Sequence, residues 1–169
     1  MEIKHMPSWK ERVGILATGY AAKQVEEKLF DYMLYPSVIA TAGTVWGGLI
    51  MTALSALVCF FYLKFYDWSK QDWLGLELLK EVREGEHAEG FWGTLVRKIL
   101  SNGDVPAFFL FSLWQDPFVT TVYLRKGADK YNGMSERDWK VFFCSVIVAN
   151  LWWTGIVSSI VHLFQWIFH

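Results

Sequence analysis

The most constraining feature of this chain is an uncharged run over residues 37–63, SVIATAGTVWGGLIMTALSALVCFFYL. A helix needs about 20 apolar residues to cross the hydrocarbon of a bilayer, and this run exceeds that. Lys64 follows, within a cluster of Tyr62, Phe65, Tyr66 and Trp68. Aromatic rings beside a lysine are what a membrane–water boundary selects.

A second apolar run covers residues 141–168, preceded by Trp139 and Lys140. Between the two runs lie most of the charges. The chain is 53% hydrophobic and 20% charged, against about 45–50% and 25% for soluble domains, so disorder is excluded. Net charge is -1, which removes the basic field a nucleic-acid binder would carry.

These patterns predict an all-α integral membrane protein with two to three transmembrane helices, an amphipathic N-terminal helix and a polar helical middle region. The expected segments are 1–36 (amphipathic helix), 37–64 (transmembrane), 65–104 (polar and helical), 105–124 (kinked transmembrane or re-entrant), 125–140 (charged loop) and 141–169 (transmembrane). In the first, Val13, Leu16 and Tyr20 recur at helical spacing, with Lys23, Glu26, Glu27 and Lys28 on other faces. Such a pattern suits a helix lying in the membrane interface or, equally, a soluble helix packed on the rest of the protein. Pro36 should end or kink it. Because Met1–Arg12 is polar, no signal peptide is expected and insertion would rely on internal segments.

Two capping signatures stand out, Ser69-x-x-Asp72 and Ser135-x-x-Asp138. The segment 105–124 carries Gln115-Asp116-Pro117 in its middle. A residue before proline is pushed out of helical dihedrals, so a kinked span is the preferred reading, with a re-entrant hairpin or an interfacial helix pair as alternatives. The charge rule for loops accepts both a two-span and a three-span topology.

Three stripes carry the candidate functional residues. The first run has a seam of small residues, Thr41, Thr44, Gly48, Thr52, Ser55 and Cys59, with Gly43-x-x-x-Gly47 beside it. Small residues let helices approach closely in lipid, so Gly43, Gly47, Gly48 and Thr52 are candidate packing positions. The last run has Asn150, Thr154, Ser158 and His162 at a spacing of four. In the middle segment Ser112, Asp116 and Thr120 repeat that spacing. Asp116 and His162 are the ionisable side chains inside the apolar segments, and such groups face a bundle interior or a cavity. On a simple rise of 1.5 Å per residue, Asn150 lies at the depth of Asp116 and is its expected partner, while His162 falls near the far interface.

No catalytic, cofactor or metal residues are assigned. Phosphate-loop, dinucleotide, nucleophile-elbow and zinc-protease motifs are absent from the sequence. Cys59 and Cys144 read as buried reduced thiols, and the acidic cluster Glu84, Glu86, His87 and Glu89 as a solvated loop. The leading functional expectation is a non-enzymatic subunit, assembling with itself or with a larger membrane partner in contact with lipids. A homo-oligomeric channel or transport component and an intramembrane or lipid-modifying enzyme are the alternatives. A multi-pass position in a cytoplasmic or inner membrane is expected.

Overall fold

A computed structural model describes residues 9–76, 104–125, 131 and 133–168. The acidic cluster at 84–89, most of the polar region 65–104, and residues 126–130 and 132 of the charged loop lie outside the described residues. The described part is all-helical, and two of its helices, Val13–Ser69 and Glu136–Phe168, are long and apolar enough to cross a membrane.

The elements run α1 (Trp9–Leu29), a π-helical turn (Phe30–Leu34), α2 (Tyr35–Ser69), α3 (Asp104–Trp114), α4 (Pro117–Leu124) and α5 (Glu136–Phe168). Pro36 does not end the first helix. Proline lacks the N–H its helix would use and its ring crowds the preceding turn. The wider π-helical turn directly before it absorbs that misfit, and the axis continues into α2.

The break comes later, at Gly43, whose φ of 78° and ψ of 170° lie outside the helical region. That backbone region belongs almost solely to glycine. The run 37–63 is therefore not one straight helix. Residues 35–42 fold back along residues 44–69, and Tyr35 and Ile39 share a buried cluster with Met51. A Cβ placed on Gly47 would sit 3.0 Å from the Ile39 Cα. In a straight helix positions eight apart are separated by about 12 Å, so the chain has reversed between them.

The segment 104–124 also reverses. α3 ends at Trp114, and Asp116 adopts extended backbone (φ -126°, ψ 169°) as the N-cap of α4, with Pro117 at the first helical position. Those are the positions these residue types favour. α3 and α4 lie against each other, with Phe111 and Tyr123 ring centroids 4.5 Å apart and Ala107 packed with Tyr123 and Leu124. Arg137 ties the two ends together, donating to the Leu124 carbonyl at 2.8 Å and to Asp104 Oδ2 at 3.0 Å. A single kinked helix would hold those ends roughly 30 Å apart. The segment is a helical hairpin, and its tip is the Gln115–Asp116 break.

α5 begins at the expected cap. Ser135 N–H donates to Asp138 Oδ2 at 3.0 Å, and Asp138 N–H donates to Ser135 Oγ at 3.2 Å, a reciprocal pair. The other signature is displaced. Ser69 is the last residue of α2, Lys70 turns left-handed after it (φ 51°), and Asp72 Oδ1 accepts instead from Leu76 N–H. The main core joins residues 59, 63 and 66 of α2 to Phe118, Val119 and Val122 of α4 and to Phe142 and Val146 of α5. Trp73 closes one side, stacked on Phe118 at 5.7 Å. At this end Arg125, with its side chain 4% exposed, pairs with Asp67 at 2.5 Å.

Candidate functional site

The hairpin tip reaches α1. Lys23 is buried, at 6% exposure, and its Nζ lies 2.5 Å from Asp116 Oδ2. The same Nζ is 2.8 Å from Glu26 Oε2 and 3.4 Å from Glu27 Oε1, and sits over the Tyr62 ring, 5.2 Å from its centroid. Asp116 Oδ1 is committed elsewhere, accepting from Val119 N–H at 2.7 Å. One carboxylate thus caps a helix and anchors an ammonium from another element.

This cluster borders a cavity of about 100 Å³ lined also by Asp31, Tyr35, Cys59 and Asn150. Cys59 is roughly ten residues from the end of α2, about 15 Å along the helix, so the cavity lies well inside the bundle. Its second polar knot is built on Tyr35. The Tyr35 hydroxyl lies 2.7 Å from Thr154 Oγ1 and donates to the Asn150 carbonyl at 3.2 Å. Asn150 Nδ2 donates to the Val146 carbonyl at 2.9 Å. Asn150 therefore lines the same cavity as Asp116, but the partner of Asp116 is Lys23.

The small-residue seam is consumed within the chain. Gly43 makes the reversal and Gly47 admits Ile39. A Cβ on Gly48 would meet Thr154 Cγ2 at 3.0 Å. Thr52 Oγ1 donates back to the Gly48 carbonyl at 2.7 Å. Ser55 and Cys59 continue the seam into the cavity wall. Further along α5, Ser158 is buried with its Oγ unpartnered among the described residues. His162 is exposed, with Nε2 3.4 Å from Thr44 Oγ1. Ser112 Oγ donates to Ser145 Oγ at 2.8 Å, so this part of the middle stripe packs on α5.

Sequence reading missed Lys23 because it sits among charges on a helix assigned to the interface. A signal was present. Lys23, Glu27, Asp31 and Tyr35 repeat the spacing of four seen in Ser112–Asp116–Thr120 and in Asn150–Thr154–Ser158. A fourfold repeat drifts slowly around a helix and keeps one coherent polar face. All three stripes contribute to the polar contacts around this cavity.

Among the described residues no group of three His, Cys, Asp or Glu side chains is arranged to hold a metal ion. Comparison of the chain with protein-family models, with curated proteins and with solved structures gave no match.

Proposed function

We propose that this chain is a multi-pass integral membrane protein that acts as a transport component, binding a cationic solute in the cavity beside Lys23 and Asp116. The rod formed by α1 and residues 35–42, the returning arm 44–69 and α5 would each cross the bilayer. The hairpin of α3 and α4 would enter from the end that carries Asp67, Arg125 and Arg137 and turn back inside.

The outward faces support this reading. Val45, Trp46, Leu49, Leu57 and Phe61 on α2 are exposed, as are Ile147, Leu151, Ile160 and Leu163 on α5. Only 22% and 39% of the most apolar windows of the two long helices are buried. A core helix of a soluble domain would hide most of such a surface, whereas lipid accepts it.

The Lys23–Asp116 ion pair is the observation that carries the proposal. Removing ions from water costs several kcal/mol apiece even after relaxation, and ionised groups at membrane depth mark solute or ion pathways. Lys23 is outnumbered by Glu26, Glu27, Asp31 and Asp116 around one cavity. That surplus of carboxylate suits a cation. The subunit reading ranks lower because the glycine seam, open in the sequence to packing within the chain or against a partner, faces Ile39 and Thr154 of this same chain.

The test is flux. The full chain in phosphatidylglycerol proteoliposomes should admit rubidium or methylammonium above the leak of empty vesicles. Asp116→Asn should remove that uptake, and Lys64→Gln, on an exposed face, should leave it intact. Uptake equal to empty vesicles for both cations would end the proposal.

A further inference from the structure

A second and larger cavity adjoins the ion-paired one. It is an open groove of about 520 Å³ and shares Glu27, Asp31, Trp114 and Trp153 with the first. Tyr32 and Trp152 complete its aromatic wall. Three indoles and a phenol thus line one open groove with two carboxylates, bringing π systems and formal negative charge to one space.

Trp153 packs against the core cluster of Tyr35, Ile39, Met51 and Val157, whereas Tyr32, Trp114 and Trp152 are exposed and lie outside the core. Trp73, Tyr62 and Phe118 stack against each other in the core. None of the four rings around this cavity meets another aromatic side chain among the described residues. Glu27 is tied to Lys23 and to Gln24 Nε2, which donates at 3.1 Å. Asp31 has no hydrogen-bond or ion-pair partner among the described residues. Lys28 borders the rim, exposed, and forms no ion pair with either carboxylate.

We infer that this cavity binds an ammonium-bearing ligand, either a free organic amine or the headgroup of a zwitterionic lipid. An alkylated ammonium spreads its charge over methyl or methylene groups and loses less hydration on entry than a compact inorganic ion. It gains from each ring it covers, and a cation–π contact at exposed rings such as these is worth about two- to fivefold in affinity. Small divalent cations demand cages of six or more oxygens, which a wall of indoles does not supply. The inference rests on the reading of the adjoining Lys23–Asp116 cavity as a cation site, with which this groove shares Glu27 and Asp31, and names the class of cation.

The experiment uses the full chain in phosphatidylglycerol nanodiscs, with binding followed by indole fluorescence and calorimetry. Tetramethylammonium and choline should bind saturably, and 3,3-dimethylbutan-1-ol, the uncharged carbon isostere of choline, should not. Trp152→Leu should weaken choline by about two- to fivefold, and Asp31→Asn, which removes the unpaired carboxylate, should weaken it as well. An unchanged helical circular-dichroism spectrum and a cooperative thermal melt show that Trp152→Leu is folded. Repeating the titration in phosphatidylcholine nanodiscs separates the sources. Loss of apparent choline affinity there assigns the cavity to the lipid headgroup, and unchanged affinity assigns it to a free amine. Equal binding of choline and its isostere, or binding of neither, overturns the inference. Rubidium uptake without choline binding would overturn this inference alone, and choline binding without any cation uptake would overturn the transport reading alone.

Discussion

The carboxylate of Asp116 and the ammonium of Lys23 meet at 2.5 Å, and that contact joins the tip of the α3–α4 hairpin to α1. The other carboxylate oxygen holds the first turn of α4 through Val119 N–H. Structure and charge therefore depend on one side chain, and substitutions can separate the two. Asn keeps an acceptor at the N-cap and removes the charge, while Ala removes both. Asp116→Ala should lower stability by about 1 kcal/mol more than Asp116→Asn, the usual worth of an N-cap. Thermal unfolding of the two purified variants in one detergent checks the difference, and equal melting temperatures would refute the capping role.

Lys23→Met poses the reverse problem. It leaves Glu26, Glu27 and Asp116 around an apolar side chain, with the ammonium that neutralised them gone. Breaking a buried pair by deleting one partner costs about 3–5 kcal/mol. Adding Asp116→Asn to Lys23→Met should restore part of that loss, because one of the stranded charges is then removed. A double-mutant cycle on unfolding free energies measures the coupling, and additive losses would show that the pair is not coupled.

Much of the helical plan was legible in the sequence, since charge-free runs and the Ser135-x-x-Asp138 cap report on backbone needs that are local. Reversals were harder to read. Gly43 looked like half of a packing motif, because nothing in its neighbours distinguishes a glycine needed for close approach from one needed for positive φ. Asp116-Pro117 gave the break correctly, but a break alone does not say whether the chain continues or returns. That depends on Arg137, which is distant in sequence and binds Asp104 and Leu124 together. Lys23 was missed for a related reason, although its spacing of four with Glu27, Asp31 and Tyr35 was there to be read. Its surroundings on α1 are charged, and only the fold supplies Asp116 and Tyr62 to bury it.

Gly43 can be tested directly. Any side chain at its φ of 78° and ψ of 170° is strained, and no neighbour within 4 Å would block a methyl group there. Gly43→Ala should therefore destabilise by about 1–3 kcal/mol through the backbone alone. Gly14 also has open space around it but lies in regular helix, where Gly14→Ala should be neutral or stabilise by up to about 1 kcal/mol. Chemical unfolding of the pair settles it, and equal effects would deny the reversal at residue 43.

Arg137 offers the remaining handle on the hairpin. Its guanidinium is partly exposed, with the side chain 43% accessible, so an ion pair of this kind adds at most about 1 kcal/mol to global stability. Its local effect should be larger. The guanidinium is the donor at the Leu124 carbonyl and also reaches Asp104, so Arg137→Gln releases the α3 start from the α4 end while leaving Lys23–Asp116 at the tip. Hydrogen–deuterium exchange should then rise at residues 108–110 and 122–124, with little change near Val119, whose N–H stays bonded to Asp116. Local openings of this kind report on a segment's own protection rather than on the whole fold. If exchange rose instead at the tip and not at the ends, the hairpin would be held by Lys23 and the arginine would be dispensable.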